Sequence, residues 1–265
     1  DAADASLIII DECSMVDEEL GRDLLSFGTP ILVLGDPAQL PPVKGGGFFT
    51  DSEPDIMLTE VHRQASDNPI IAMSMTIREG GFLEHGVYGD SQVVTRGDID
   101  SDDILEADQV LIGMNRTRRL FNKRIRTLKE FIADTPMAGD KLVCLRNERA
   151  KGLLNGGLWT VRRAHAMKRG RIKLEISPED DETRRMVNVS VMPEMFDGRD
   201  EDIPYAKRRN ADDFDYGYAL TVHKSQGSQW NNVVLFDESG AFREHSQRWL
   251  YTAITRAAER ITIVK

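Results

Sequence analysis

The apolar run SLIII ends on two adjacent carboxylates, Asp11 and Glu12, and a second run, ILVLGDPAQLPPV, ends on Gly35, Asp36 and, past a proline, Gln39. Carboxylates that close a buried strand emerge at the carboxyl edge of a parallel sheet, where ligands of open α/β folds bind. Asp11 there suits Mg²⁺, directly or through water, and Glu12 suits an attacking water. A neutral amide such as Gln39, presented beside the pair, senses a γ-phosphate without neutralising it. Each piece alone has a plainer explanation. Acidic residues cap helix starts and offset the macrodipole, and Asp-Pro followed by LPP is an ordinary turn and a stiff connector. Two such pieces in succession favour a nucleotide site.

These groups need a scaffold that ends its strands side by side. LIII and ILVLGD are short continuous runs rich in β-branched residues, and CSMVDEELGRDLLSFG between them has the apolar spacing of one helix. Strand, helix, strand is the signature of a parallel sheet covered on both faces. The pattern returns with DQVLIGMN as a strand and RTRRLFNKRIRTLKEF as a helix, then NVVLFD, SQRWLYTAITRAAE and RITIVK as strand, helix and strand. Two parallel-sheet units are expected. Between them, from about residue 139 to 203, DKLVCLRN, GGLWTVRRAHAM, RIKLEIS and RRMVNVSVM are short alternating runs divided by turn residues. They predict an inserted small antiparallel barrel or meander.

A chain of 265 residues can bury two cores, and 40% hydrophobic with 29% charged residues is an ordinary globular balance. No apolar stretch approaches the ~20 residues of a membrane helix, so no membrane association is expected. DAADASLIII lacks the basic region and cleavage site of a signal peptide, and Cys13 and Cys144 have no metal-ligand spacing; a reducing, cytoplasmic setting is the expectation. The formal net charge of −10 argues against indiscriminate nucleic-acid binding, because affinity for a phosphate backbone comes from Lys and Arg displacing counterions. Such binding must be local. Asn115 to Lys129 carries seven basic residues and no acidic one, which reads first as a solvated helix face and second as a phosphate-facing patch.

DECSMVD, GDPAQLPPV, LTEVHRQ, ALTVHKSQGSQWNNVVL and WLYTAITRAAERITIV resemble, in order and spacing, motifs II to VI of superfamily 1 helicases, most of all the 5′-to-3′ branch that contains RecD and the phage Dda helicase. The likeness runs from Ile8 to Val264. TVHKSQGSQW and YTAITRA carry its specificity, whereas the Asp-Glu pair alone does not. The resemblance implies an α/β fold of two RecA-like parallel-sheet lobes, the first incomplete, with a small β-barrel of Src-homology-3 type inserted in the second. The implied bounds are 1–55 for the first lobe, 56–138 with 204–265 for the second, and 139–203 for the barrel.

The activity it implies is ATP-dependent DNA unwinding or translocation. Asp11, Glu12 and Gln39 would act with Arg63 and Arg256, whose planar guanidinium groups suit the charge spread over phosphoryl oxygens. Outside that context Arg63 reads as a partner of Glu60, and Arg256 as a helix-face charge beside Glu259. Thr221, His223 and Lys224 fall where the fifth motif meets the backbone of single-stranded DNA, and Asn115 and Arg116 where a second-lobe strand ends at the DNA. Gly35, Asp36, Gly227 at a tight turn and Gln229 near the ribose are the implied nucleotide positions. ATP is the implied nucleotide, with Mg²⁺ on Asp11, and single-stranded DNA and repair or recombination subunits are the implied partners.

The phosphate cradle of such enzymes, GxxxxGK[ST], occurs nowhere in the 265 residues: HKSQG lacks the preceding glycine and VKGGGFF lacks Gly-Lys-Ser/Thr. Its N–H groups and Lys bind the β- and γ-phosphates, and its hydroxyl completes the Mg²⁺ shell. The expectation is the C-terminal part of a longer helicase, with the missing N-terminal segment as a partner and negligible hydrolysis without it. Two other classes compete. A motor-dead nucleic-acid binding module has no chemical need for all five catalytic groups, and a nucleotide kinase has no role for TVHKSQG.

Overall fold

The computed structural model describes residues 2–42, 45–58, 68–179 and 186–265. The chain opens with β1 (Ile8–Ile10), α1 (Glu18–Ser26), β2 (Ile31–Val33), α2 (Pro69–Arg78), β3 (Gly86–Tyr88) and β4 (Ser91–Val94). Next come α3 (Ser101–Glu106), β5 (Gln109–Ile112), α4 (Asn115–Leu128), β6 (Lys141–Cys144), β7 (Leu158–Ala164), β8 (Ile172–Pro178) and β9 (Val187–Val191). It closes on α5 (Tyr205–Arg208), β10 (Phe214–Tyr216), β11 (Ala219–Thr221), β12 (Trp230–Phe236), α6 (Ser246–Ile254) and β13 (Ala257–Val264). Two compact units result, one of Asp1–Ile99, Leu111–Gly113 and Thr221–Lys265, the other of Asp100–Val110 and Met114–Leu220.

The first unit holds the parallel strands. β1 and β2 pair in register with Ile9 opposite Leu32, and α1 joins them, its start capped by the Asp17 carboxylate, which accepts the Leu20 N–H at 2.9 Å. One face of this pair packs Ile8, Ile10, Ile31 and Val33 around Cys13, Val16, Leu24 and Phe49. The other face is open: Ile9 is 60% and Leu32 46% exposed. The larger sheet runs β11-β5-β12-β13-β4-β3; β12, β13, β4 and β3 lie wholly in this unit, with β12, β13 and β4 parallel and β3 antiparallel at the edge. Val233, Val234 and Leu235 of β12 and Ile261 and Ile263 of β13 are completely or almost completely buried there.

The second unit is built on an antiparallel sheet of order β10-β6-β7-β8-β9, so the alternating runs form a meander as their pattern requires. The basic stretch is α4, which belongs to this unit and buries Asn122, Ile125 and Arg126 while Arg116 and Arg119 stay exposed. Asn122 donates its amide to the carbonyls of Tyr216 and Ala219 and accepts the Ala219 N–H. Arg126 grips the fully buried Asp140 with two bonds of 2.9 and 3.0 Å and lies 4.2 Å from the centre of the Tyr216 ring. Tyr218 O–H and Met137 N–H complete the Asp140 shell, so the buried charges are paired and satisfied.

One local expectation is corrected. The helix expected to run through AITRAAE ends at Ile254, and Ala257 already pairs with Trp230 in the sheet.

Candidate nucleotide site

Asp11 and Glu12 follow β1 directly. Asp11 is exposed and its Oδ1 accepts the Glu12 N–H at 2.9 Å. Glu12 has the left-handed backbone φ 52°, ψ 45°, and the chain then turns through a short 3-10 segment, Cys13–Met15. A left-handed non-glycine residue costs ~1–3 kcal/mol and persists only where its surroundings enforce it. The enforcement is visible: Cys13 N–H donates to the Leu34 carbonyl at 3.1 Å, and Leu34 N–H to Ile10 at 2.8 Å.

The end of β2 lies against this turn. A Cβ on Gly35 would stand 2.4 Å from Cys13 Sγ, so only glycine lets the two strand ends approach so closely. Asp36 follows and closes a turn, its Oδ1 accepting the Ala38 N–H at 2.9 Å and its carbonyl the Gln39 N–H at 3.1 Å. Gln39 is half-buried, and its Oε1 is shielded from solvent without a hydrogen-bond partner among the described residues.

The rest of the site comes from distant sequence. Tyr251 O–H donates to Asp36 Oδ2 at 2.5 Å, and Arg78 at the end of α2 lies 3.7 Å from Asp36 Oδ1. Burial and the neighbouring Asp36 carboxylate push the Tyr251 hydroxyl up to about 12, which keeps it a donor. Leu40 N–H donates to Thr252 Oγ1 at 2.9 Å, and the Leu40 carbonyl accepts from Gln226 Nε2 at 2.9 Å. Arg256, just past α6, is 6% exposed. Its guanidinium donates to the carbonyls of Thr252 and Ser228 and to Thr255 Oγ1. Among the described residues no carboxylate forms an ion pair with it. Burial pushes its pKa down, against the charges of Glu12 and Tyr251.

Thr221, His223 and Lys224 form the turn after β11, with Lys224 N–H donating to Thr221. Gly227 takes φ 76° in open space, and Gln229 beyond it is exposed. The His223 ring is 5.4 Å from that of Phe242, which stacks on the buried Trp249 of α6 at 5.4 Å. Thus Asp11, Glu12, Gly35, Asp36, Gln39, Arg256 and the Thr221–Gln229 turn lie in one unit. Asn115 and Arg116 lie in the other, where Arg116 lines an open groove of about 630 Å³ with Arg119, Lys123, Phe196 and Tyr216. Arg63 is outside the described residues. Sequence reasoning passed over Tyr251, Thr252 and Gln226, although all three sit inside motifs it had singled out.

A dedicated metal cage is not built here: among the described residues no three His, Cys, Asp or Glu side chains cluster as ligands. One exposed carboxylate, Asp11, still fits Mg²⁺, which keeps most of its waters and takes one or two carboxylates plus phosphate oxygens.

Residues 216–264 match the family described as UvrD-like helicase C-terminal domain, and residues 1–98 match an AAA domain. Over 96% of its length the chain is 29% identical to an ATP-dependent RecD2 DNA helicase of Deinococcus radiodurans, and over 97% it is 25% identical to a probable conjugal transfer protein TraA of Sinorhizobium fredii. It spans 35% and 24% of those two relatives. The Pif1 helicase of Candida albicans has the same fold, at a TM-score of 0.60 and 18% identity, covering all of this chain and 72% of that one. A Bacteroides Pif1 helicase in complex with ADP-AlF3 and single-stranded DNA superposes at 0.58 with 15% identity, covering 98% of this chain and 71% of that one.

Proposed function

We propose that the chain is a RecD/Pif1-like member of superfamily 1 and forms most of an ATP-dependent 5′-to-3′ DNA helicase motor, a reading supported by the two domain matches and the RecD2 and Pif1 likenesses. The observation that carries the reading is Arg256. A buried cation surrounded by neutral oxygens is costly unless an anion completes it, and the groups around it are those a triphosphate needs. Gln39 offers an amide whose oxygen, without a partner among the described residues, can accept from a water and whose NH2 can donate to a phosphoryl oxygen, and Glu12 is held in a strained turn beside the exposed Asp11.

In this reading Asp11 holds the Mg²⁺ that accompanies ATP. That ion neutralises charge on the phosphate oxygens when bound. Glu12 accepts a proton from the attacking water, the Gln39 amide NH2 donates to a γ-phosphoryl oxygen, and Arg256, joined by Arg63, stabilises the charge that builds on these oxygens. Gly35, Asp36, Gly227 and Gln229 border the nucleotide. Thr221, His223 and Lys224, with Asn115 and Arg116 of the second unit, contact the backbone of single-stranded DNA. Residues 1–55 act as part of one RecA-like lobe and 56–138 with 204–265 as the other, and the meander serves as an insertion of Src-homology-3 type. Repair or recombination subunits are the further partners of this reading.

Hydrolysis also needs a phosphate loop, which these residues do not contain. The 265 residues alone should hydrolyse ATP negligibly, and joining them to a strand with GxxxxGK[ST] should give DNA-stimulated turnover. In that protein Arg256→Ala should lower kcat by about 10³-fold or more, the scale of other arginine fingers. Turnover indifferent to DNA, or an Arg256→Ala variant at full rate, would contradict the motor assignment. Lys224→Ala and Arg116→Ala should weaken binding to all single-stranded sequences and each reduce the salt slope by about 1.

A further inference from the structure

The loop Asp36–Leu40 is held at both ends by two consecutive residues of α6. Tyr251 donates to Asp36 at its start and Thr252 accepts from Leu40 at its end, while Gln39, between them, has no partner for its Oε1 among the described residues. Thr252 does more than hold the loop, because its carbonyl accepts Arg256 Nε–H at 3.1 Å. One buried residue therefore touches both the segment that carries Gln39 and the guanidinium of Arg256. The hydroxyl of Tyr251 is itself approached by Arg78 Nη1 at 3.5 Å, and the Arg78 guanidinium lies 5.7 Å from the centre of its ring.

We infer that Tyr251 and Thr252 are positioning residues, a two-point clamp that fixes the Gln39 amide relative to the Arg256 guanidinium. The inference rests on the proposed ATPase activity. It follows from where the bonds are made. Among the described residues the other side-chain ties on the loop are weaker or come from outside α6, Arg78 at 3.7 Å from Asp36 and Gln226 on the Leu40 carbonyl, so losing either hydroxyl loosens one end and lets Gln39 shift while Arg256 stays bound to Ser228 and Thr255. A displacement of ~1 Å at a reacting centre can cost as much as 10²-fold in rate. Nucleotide binding, which draws on many contacts, should change little.

The experiment uses the protein carrying a phosphate loop and compares kcat and KM for ATP. Tyr251→Phe keeps the ring and removes the donor; Thr252→Val keeps the shape and removes the acceptor. Each should lower kcat by about 10-fold with KM within about twofold, on the same positional argument. Thr252→Ser, which retains the acceptor, should restore the rate. Asp36→Asn combined with Tyr251→Phe should be no slower than the slower single variant, since both act on one bond. If Tyr251→Phe and Thr252→Val both keep kcat within twofold of an active wild type, the clamp is overturned while the motor assignment stands. A loop-bearing wild type without DNA-stimulated turnover overturns the assignment and the clamp together.

Discussion

Two of the parallel strand pairs, β12–β13 and β1–β2, stand in unlike circumstances. β12 and β13 lie inside a six-stranded sheet and are joined through α6; their Val and Ile side chains are buried on both faces. β1 and β2 are joined through α1 in the same way, yet among the described strands they pair only with each other, and Ile9 and Leu32 face outward. A continuous apolar strand is written for a sheet covered on both sides, and only one of the two pairs has that cover. Full burial of one such side chain is worth ~1.5–3 kcal/mol. The carboxylates proposed as catalytic, Asp11 and Glu12, therefore follow a lightly supported pair, while Arg256 leads into a heavily supported strand.

The contrast can be broken most forcibly at Leu235. Leu235→Ala should cost ~2–5 kcal/mol, as large-to-small changes in a closed core do, read by denaturant unfolding. Gly35→Ala tests the close contact beside the carboxylates. Its Cβ would meet Cys13 Sγ, so a loss of ~1–3 kcal/mol is expected, as for overpacking, and Cys13→Ala in the same chain should recover part of it. His223 probes pH dependence in the supported half. Burial, then the charge of His245, holds its imidazole below the ordinary 6.5. The unfolded chain thus takes up the proton first, and stability is retained above pH 6.5 and declines as pH falls below it. His223→Gln should flatten that decline in pH-dependent melting. Smallest of all, Ile9→Thr with Leu32→Thr should change stability by no more than ~0.5 kcal/mol, as exposed substitutions do. A much larger loss would mean that this face is covered.

Much of the architecture was legible because periodicity and β-branching report burial directly. The runs around Ile8, Ile31, Gln109 and Val233 became strands, and the alternating runs after Asp140 became the antiparallel meander. Several elements were passed over, some of them although their signals were present. Asn68 followed by Pro69 is a cap and first-turn proline that starts α2, and Gly89-Asp90 is a two-residue turn that joins β3 to β4. The early end of α6 had no such signal. Ala257 and Ala258 favour helix locally, and pairing with β12 overrides them. The chemistry-bearing residues stood out by type and spacing, whereas the Tyr251–Asp36 bond spans 215 positions and becomes visible only once the chain is folded.

The left-handed turn at Glu12 bears on any attempt to make this protein more robust. Screens that select for heat resistance reward the relief of awkward backbone angles, and glycine at this position would relieve one. Such a screen would be drawn to discard the side chain proposed to activate water. Variants recovered that way should be sturdier and inert, and position 12 is best shielded from the library.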